Sequence, residues 1–471
     1  MKILVTSNSS WTLFNFRLKL MQALRESGHQ VHAVSMEDGS TAKIREAGFP
    51  FHRLNIQGKG ANPLADLQLV QQYKKIFKEV KPDVVLNFTI KPVIYSTIAA
   101  KSLGIPVINN IAGLGTLFNL TTWVTRIAIL LYRYSQKNVE HIFFQNEDDV
   151  ELFKRLQILK KQSYSRLPGS GVDVGRFVQQ EKRTKSKEEG QEGEWDHGAK
   201  RKEEGREMEK GELENGEWRM ENGLDPTSNK SNTTDFSIGE VASHQLSANS
   251  QQPTTNSSAV ALAQVENPAS PAGRQKLIQP PELQRRRQTN FLLFGRMLWD
   301  KGVGEYVEAA RAIKKENPNA NFWVLGLLDF QNPTAIKSED MQQWIDEGII
   351  HYLGKTDRVE EYIQEADCVV YPSYYREGVP RSLLETAAMG KPIISTENVG
   401  CKEVVENGYN GYKIPIKDSQ ALTEAMQQFI GLSEEEKIQL GQNSRKLAEE
   451  KFDEKFVIEA YLEQIERVTA K

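Results

Sequence analysis

Two carboxylates, Glu377 and Glu385, stand eight positions apart in the stretch YREGVPRSLLETAAMG, and two cations, Arg296 and Lys301, stand five apart in FGRMLWDKG. Carboxylates accept hydrogen bonds from vicinal hydroxyls in a bidentate manner. A guanidinium fork and an ammonium point charge together clamp a diphosphate. Gly295, directly before Arg296, lets a ligand approach the backbone closely. The combination describes a nucleotide sugar, a polyol joined to a diphosphate. Each pair alone reads equally as a surface ion pair or a helix cap, and it is the placement of both pairs at equivalent strand ends that points to a ligand.

Those strand ends follow from the local pattern. The run CVVYPS predicts a strand ending near Ser373, and YYREGVP a loop. RSLLETAAMG predicts a helix that begins at Pro380 or Arg381 and is stopped by Gly390. In an open parallel sheet, ligands bind beyond the carboxyl ends of the strands, where helix N-termini direct free N–H groups at anions. Glu377, Gly378, Val379 and Pro380 would line that edge, with Glu385 about one turn into the helix. Across the chain, short apolar runs (KILVTS, VHAVSM, DVVLNF, PVINNI) alternate with stretches of helical period, and the alternation restarts at NFLLFGR, residues 290–296. That is the signature of parallel sheets covered by helices. A chain of 471 residues, 39% hydrophobic, is too long for one core. The expectation is two α/β domains, at 1–177 and 289–450.

Residues 178–288 have a different texture: KEEGQEGEWDHGAKRKEEG and then Ser-, Asn-, Gln- and Pro-rich sequence. Such a segment buries too little apolar area to offset chain entropy and is expected to be a disordered insertion. Sixty Lys and Arg against 63 Asp and Glu give a net charge of -3, which argues against nucleic acid as the partner. The two cysteines, Cys368 and Cys401, lack metal-spaced partners and read as packing residues. No basic leader and no apolar run of about 18 residues is visible, so the expected location is cytoplasmic. No Asp-x-Asp pair occurs, so the chemistry is expected to need no metal, and no cofactor is implied.

FGRMLWDKG with the E-x7-E segment EGVPRSLLE resembles the retaining glycosyltransferases of family 4, and the resemblance runs through both domains, missing only the insertion. It implies a GT-B fold of two facing Rossmann-like domains, with 451–471 forming a C-terminal helix that crosses back to the first. It implies a nucleotide-sugar donor, UDP-linked by expectation, whose diphosphate is held by Arg296 and Lys301, whose ribose is held by Glu385, and whose transferred sugar is held by Glu377. Arg296, Lys301 and Glu377 are then the catalytic candidates. RLPGSGVDVGRF resembles the end of the first domain in this family, and Asp173 there reads as a turn residue.

LNFTIKPVIYS and VINNIAGLGTLF resemble the subgroup that extends surface polysaccharides or glycans on polyprenyl diphosphate. The acceptor would meet Gly113 and Gly115, whose amides can approach a phosphate, with Lys91 and Arg17 as cations. The chain departs from the family in its first loop, SNSSW in place of a glycine pair, which leaves donor contacts by Asn8 and Ser9 open. NNIAGLG has no histidine, so no general base is named from the first domain, and His141 reads as structural. In TTWVTRIAILLYRYSQK, Thr122, Arg126, Arg133 and Lys137 share one helical side, while Trp123, Ile127, Leu130, Leu131 and Tyr134 lie largely on another. This suits peripheral contact with an anionic membrane. Two other readings share the fold: a sugar-nucleotide epimerase, and a nucleotide-sugar-binding regulator or scaffold without turnover.

Overall fold

The fold has two all-parallel sheets whose central strands are buried on both faces. In the first, β1 (Lys2–Ser9), β2 (Gln30–Met36), β3 (Phe51–Arg53), β4 (Val84–Phe88), β5 (Val107–Ile111), β6 (His141–Phe144) and β7 (Ser163–Arg166) lie in the order β3-β2-β1-β4-β5-β6-β7. The second repeats the winding with β8 (Asn290–Phe294), β9 (Asn321–Leu325), β10 (His351–Tyr352), β11 (Cys368–Tyr371), β12 (Ile393–Thr396) and β13 (Gly411–Ile414), ordered β10-β9-β8-β11-β12-β13. The winding reverses between β1 and β4 and again between β8 and β11. These are the switch points where a doubly wound sheet opens a crevice at its carboxyl edge. The computed structural model describes residues 1–55, 63–115, 123–178, 288–329 and 332–470. The expected insertion at 178–288 lies outside the described residues except for its two end positions, and so does Thr122.

The helices of the first domain are α1 (Ser10–Glu26), α2 (Thr41–Glu46), α3 (Pro63–Val80), α4 (Thr97–Lys101), α5 (Trp123–Ser135) and α6 (Glu147–Arg155). The later ones are α7 (Val303–Glu316), α8 (Ser338–Asp346), α9 (Val359–Glu365), α10 (Arg381–Ala388), α11 (Ser419–Gly431), α12 (Glu434–Leu447) and α13 (Glu454–Thr469). Their limits have local causes. Ser9 caps α1 by accepting from the Thr12 amide, and Arg25 sits in its last turn, where the helix dipole favours a cation. Pro380, with φ fixed near the helical value and no N–H to lose, precedes α10, and Gly390 at φ 62° ends it.

One face of the first sheet is covered by residues from both ends of the chain. Leu13, Leu20 and Leu24 of α1 pack there with Val457, Tyr461 and Ile465 of α13, over Ile3, Val5, Phe88 and Phe143. The Tyr461 hydroxyl accepts from Asn110 Nδ2 at 2.9 Å. The chain therefore passes between the domains twice, and the two passages touch. The Val172 amide donates to Phe452 O at 2.9 Å, and the Glu454 amide to Val172 O at 3.0 Å. Arg445 ties the same place together, donating to Phe177 O at 2.7 Å, Ala388 O at 2.6 Å and Val174 O at 3.1 Å. Phe177 and Val172 are buried in the core of the second domain, among Leu292, Leu383 and Leu447.

Candidate active site

Adjacent strands bring the charged residues together. β8 and β11 are neighbours, so the turn after one lies beside the loop after the other. Asp300, in the short turn Trp299–Lys301, fixes the junction: its carbonyl accepts from the amides of Tyr374 and Tyr375, both at 3.0 Å. Gly302, at φ 76°, passes so close to Pro372 O that any β-carbon would collide with it. The result is an ion pair, with Lys301 Nζ 2.6 Å from Glu377 Oε1. The same oxygen accepts from the Tyr371 hydroxyl at 3.1 Å and from Ser373 Oγ at 3.3 Å. Glu377 Oε2 has no hydrogen bond among the described residues.

Electrostatically the Lys301 ammonium is held charged. Burial works to lower its pKa, but the Glu377 carboxylate and the Tyr371 hydroxyl outweigh that and raise it above the ordinary lysine value. The rings of Tyr375 and Tyr371 lie 4.9 and 5.4 Å from Nζ and add cation–π attraction. Burial lifts the Tyr371 hydroxyl well above its usual range, so it stays a neutral donor. Arg296 is different. It is exposed at the mouth of β8 and makes no ion pair among the described residues. Gly295 allows the chain to turn there at φ 148°, and Gly326 at the end of β9 fits against its carbonyl only because it lacks a side chain.

Glu385 points from the second turn of α10 and pairs with Arg381 Nε at 3.0 Å. Burial raises its carboxyl pKa, and Arg381 partly offsets this. The amides of Leu383 and Leu384 turn back to Pro380 O, which leaves those of Arg381 and Ser382 without an intrahelical acceptor. Glu377 and Glu385 thus bracket one helix N-terminus, with Arg296 and Lys301 on the neighbouring strand exit. This arrangement can hold an anion between two sets of hydroxyl acceptors.

The first domain closes directly on the Glu377 loop. The Gly378 amide donates to Ala112 O at 3.2 Å. A β-carbon at Gly113 would strike the Gly378 amide, one at Gly115 the Tyr375 hydroxyl, and one at Gly378 the side chain of Gln145. Gly113 (φ 96°) and Gly115 (φ 61°) are glycines here because two domains meet, a reason distinct from the phosphate contact expected of them. The other acceptor candidates have partners within the first domain. Arg17 is 4% exposed and stacks its guanidinium 4.2 Å over the Phe88 ring, and burial lowers its pKa. Lys91 pairs with Asp66 at 3.3 Å. His141 is buried in β6 between Ser163 Oγ at 2.8 Å and Ser165 Oγ at 2.9 Å. Asp173 accepts from the amides of Gly175 and Arg176 in a turn.

Several residues of this region escaped the reading of the sequence. Asp300 is buried with Oδ2 taking a hydrogen bond from Thr334 at 3.2 Å and Oδ1 without a partner among the described residues. Thr89, just past β4, holds φ at 68°, a costly conformation for a β-branched residue, and accepts from the Asn8 amide at 3.0 Å. Arg376 donates to Asp149 of α6 through Nη2 at 2.7 Å and Nε at 3.2 Å. A rule that flags strained β-branched residues at strand exits needs coordinates, whereas Arg376 was open to suspicion from its position beside Glu377.

On the outer side of the first domain, α5 buries Thr125, Ala128, Tyr132 and Ser135. It exposes Trp123 (69%), Leu130 (60%) and Tyr134 (64%), with Ile127 between them. Arg126, Arg133 and Lys137 are exposed beside this stripe, and the helix carries no acidic residue. Among the described residues, no helix is long and apolar enough to cross a membrane.

Two facing doubly wound domains make the GT-B architecture of glycosyltransferases. Residues 2–146 match the family described as glycosyl transferase 4-like, and residues 288–431 match glycosyl transferases group 1. The chain belongs to these glycosyltransferases. It is 23% identical to the N,N'-diacetylbacillosaminyl-diphospho-undecaprenol alpha-1,3-N-acetylgalactosaminyltransferase of Campylobacter jejuni, over 99% of each chain. It is 36% identical to an O-antigen chain mannosyltransferase C of Escherichia coli, over 24% of this chain and 31% of that one. Its fold is that of Anabaena Alr3699/HepE solved with UDP and glucose: TM-score 0.65 at 15% identity, covering 99% of this chain and all of the other.

Proposed function

We propose that the protein transfers a hexose or N-acetylhexosamine from a nucleotide sugar, UDP-linked, to a polyprenyl-diphosphate-linked glycan in bacterial surface-glycan synthesis, with retention of anomeric configuration and without a metal. The observation that carries this is the Lys301–Glu377 pair at the switch point, with Arg296 exposed beside it and Glu385 across the α10 N-terminus. Arg296, Lys301 and the free amides of α10 would neutralise the leaving diphosphate where its charge develops, and fixed charges and dipoles of this kind lower the barrier more than any other single effect. Glu385 would accept from the ribose hydroxyls. Glu377, with Oε1 fixed by three donors, would turn Oε2 toward the sugar hydroxyls. Gly295, Gly378, Val379 and Pro380 would complete the donor site.

The acceptor class is supported by the Campylobacter relative, whose name specifies a diphospho-undecaprenol substrate, and the UDP donor by the HepE complexes. Retention is supported by the resemblance of the E-x7-E segment. The acceptor would enter where the first domain's 112–115 loop meets the second domain, and Lys91 and Arg17 remain its candidate cations. Lipid-linked acceptors place the enzyme at a bilayer surface, and the Trp123–Leu130–Tyr134 stripe with its basic border suits an anionic one. The deciding experiment measures nucleotide release from UDP-, GDP- and ADP-sugars with and without polyprenyl-diphosphate acceptors. Acceptor-dependent release from one donor, lost in Glu385→Ala and Arg296→Ala, establishes the activity. Donor binding without turnover on any acceptor favours a binding regulator and overturns it.

A further inference from the structure

We infer that Asp149 and Arg376 form a positioning pair, through which the first domain sets the geometry of Glu377 in the second. The inference rests on the reading that Glu377 faces the donor sugar. Asp149 has no exposed side-chain surface. It is the third residue of α6, and all its acceptor capacity is directed: Oδ2 takes the Asn146 side-chain amide at 3.1 Å, and Oδ1 takes Arg376 Nη2 at 2.7 Å and Nε at 3.2 Å. Asn146 in turn caps α6 by accepting from the Asp149 amide at 2.8 Å, so the carboxylate sits on a rigid helix start. A buried carboxylate holding a guanidinium through two donors fixes direction as well as distance.

Arg376 is the residue next to Glu377, so fixing its side chain constrains the backbone that carries the functional carboxylate. Two further contacts across the same seam act in parallel. Lys402 Nζ lies 2.8 Å from Asp148, and the Gly378 amide donates to Ala112 O at 3.2 Å. The Glu377 loop is therefore held from both sides. Lys301, Tyr371 and Ser373 hold it from within its own domain, and α6 with the 112–115 loop holds it from the other. Neither Asp149 nor Arg376 needs to touch substrate for this. The pair reports that the domains have met, and Glu377 takes its working position only in that state.

The test compares Asp149→Asn, Arg376→Gln, the double variant and Arg376→Lys with wild type in the full-length chain. The readouts are turnover, KM for the donor, the affinity for free UDP by calorimetry, and hydrogen exchange of the Gly378 amide. Misplacement of a reacting group by about 1 Å costs on the order of a hundred-fold in rate. The expected result is a fall in kcat of about ten- to a hundred-fold in each single variant, with UDP affinity unchanged, a double variant no slower than the singles, partial recovery in Arg376→Lys, and faster exchange at Gly378. Unchanged kcat in well-folded single variants overturns the inference. So does loss of activity in Arg376→Gln but not in Asp149→Asn, because that outcome makes Arg376 a direct participant. If wild type turns over no donor, the functional reading fails by itself. The exchange measurement still decides whether the pair holds the loop.

Discussion

Replacing Glu377 by glutamine keeps the shape of the side chain and an oxygen at the Oε1 position but removes the only carboxylate bonded to the Lys301 ammonium among the described residues. The Lys301 side chain is 6% exposed, so the ammonium cannot reach water without rearranging the turn after β8. Removing one partner of a buried ion pair costs about 3–5 kcal/mol. Here the glutamate side chain keeps 20% of its surface in water, and the tyrosine rings and amide oxygen remain around Nζ, which brings the expected loss to about 2–3 kcal/mol. At about 2–4 °C per kcal/mol for a domain of this size, the second domain should melt roughly 4–12 °C lower. Lys301→Met should cost less, because Glu377 can turn its free oxygen outward and keep the Tyr371 and Ser373 hydrogen bonds. UDP gives the stranded ammonium a new counter-charge, so it should raise the melting temperature of Glu377→Gln more than that of wild type. Thermal melts with and without UDP measure all three values. A Glu377→Gln protein as stable as wild type, or equal UDP shifts in the two, would refute the placement of diphosphate against Lys301.

Three other outcomes follow from the structure. Burial lowers the His141 pKa to about 4 against the ordinary 6.5, so between those values the unfolded chain binds a proton that the folded one does not. Stability should fall as pH drops from about 6.5 to about 4, by up to about 3 kcal/mol, and His141→Asn should flatten that slope in denaturant titrations. Gly113→Ala sets a methyl against the Gly378 amide at a φ that alanine disfavours by about 1 kcal/mol. Transfer to the acceptor should drop at least about ten-fold by steady-state assay, while UDP affinity holds. Changing Trp123 and Leu130 together to Ser removes two exposed apolar anchors worth about 1.5–3 kcal/mol each if fully buried in lipid, and should weaken co-sedimentation with anionic vesicles by more than about ten-fold.

The strand, loop and helix around the E-x7-E segment were legible because their signals are local: an apolar run, then Gly and Pro, then helical period. α10 begins at Arg381 and gives way at Gly390 accordingly. Contacts that depend on strand order were not legible. Lys301 and Glu377, 76 residues apart, meet because β8 and β11 are neighbours, and no periodicity reports that. Periodicity also leaves open which side of an amphipathic helix faces the core. α5 buries Tyr132 with Thr125, Ala128 and Ser135 and leaves three further large side chains, Trp123, Leu130 and Tyr134, outside, against the usual sense. Gly113 illustrates a third limit. Its type announces a tight fit, but the surface it fits belongs to a distant segment of the chain, at Glu377 and Gly378.

The two passages of chain between the domains, hydrogen-bonded to each other at Val172, behave as the spine of a book. With the two sheets as its covers, Val172 and Phe452 both sit in the core of the second, so their bonds travel with that cover and any opening must bend the chain before Val172 and after Glu454. Both flanks of residues 179–287 fall on the same cover. Phe177 lies in the core of the second domain, and Gln288 takes a hydrogen bond from Asn321 there. The separation of those two attachment points is therefore invariant to the motion, and sequence can be added or lost between them without altering how the covers shut.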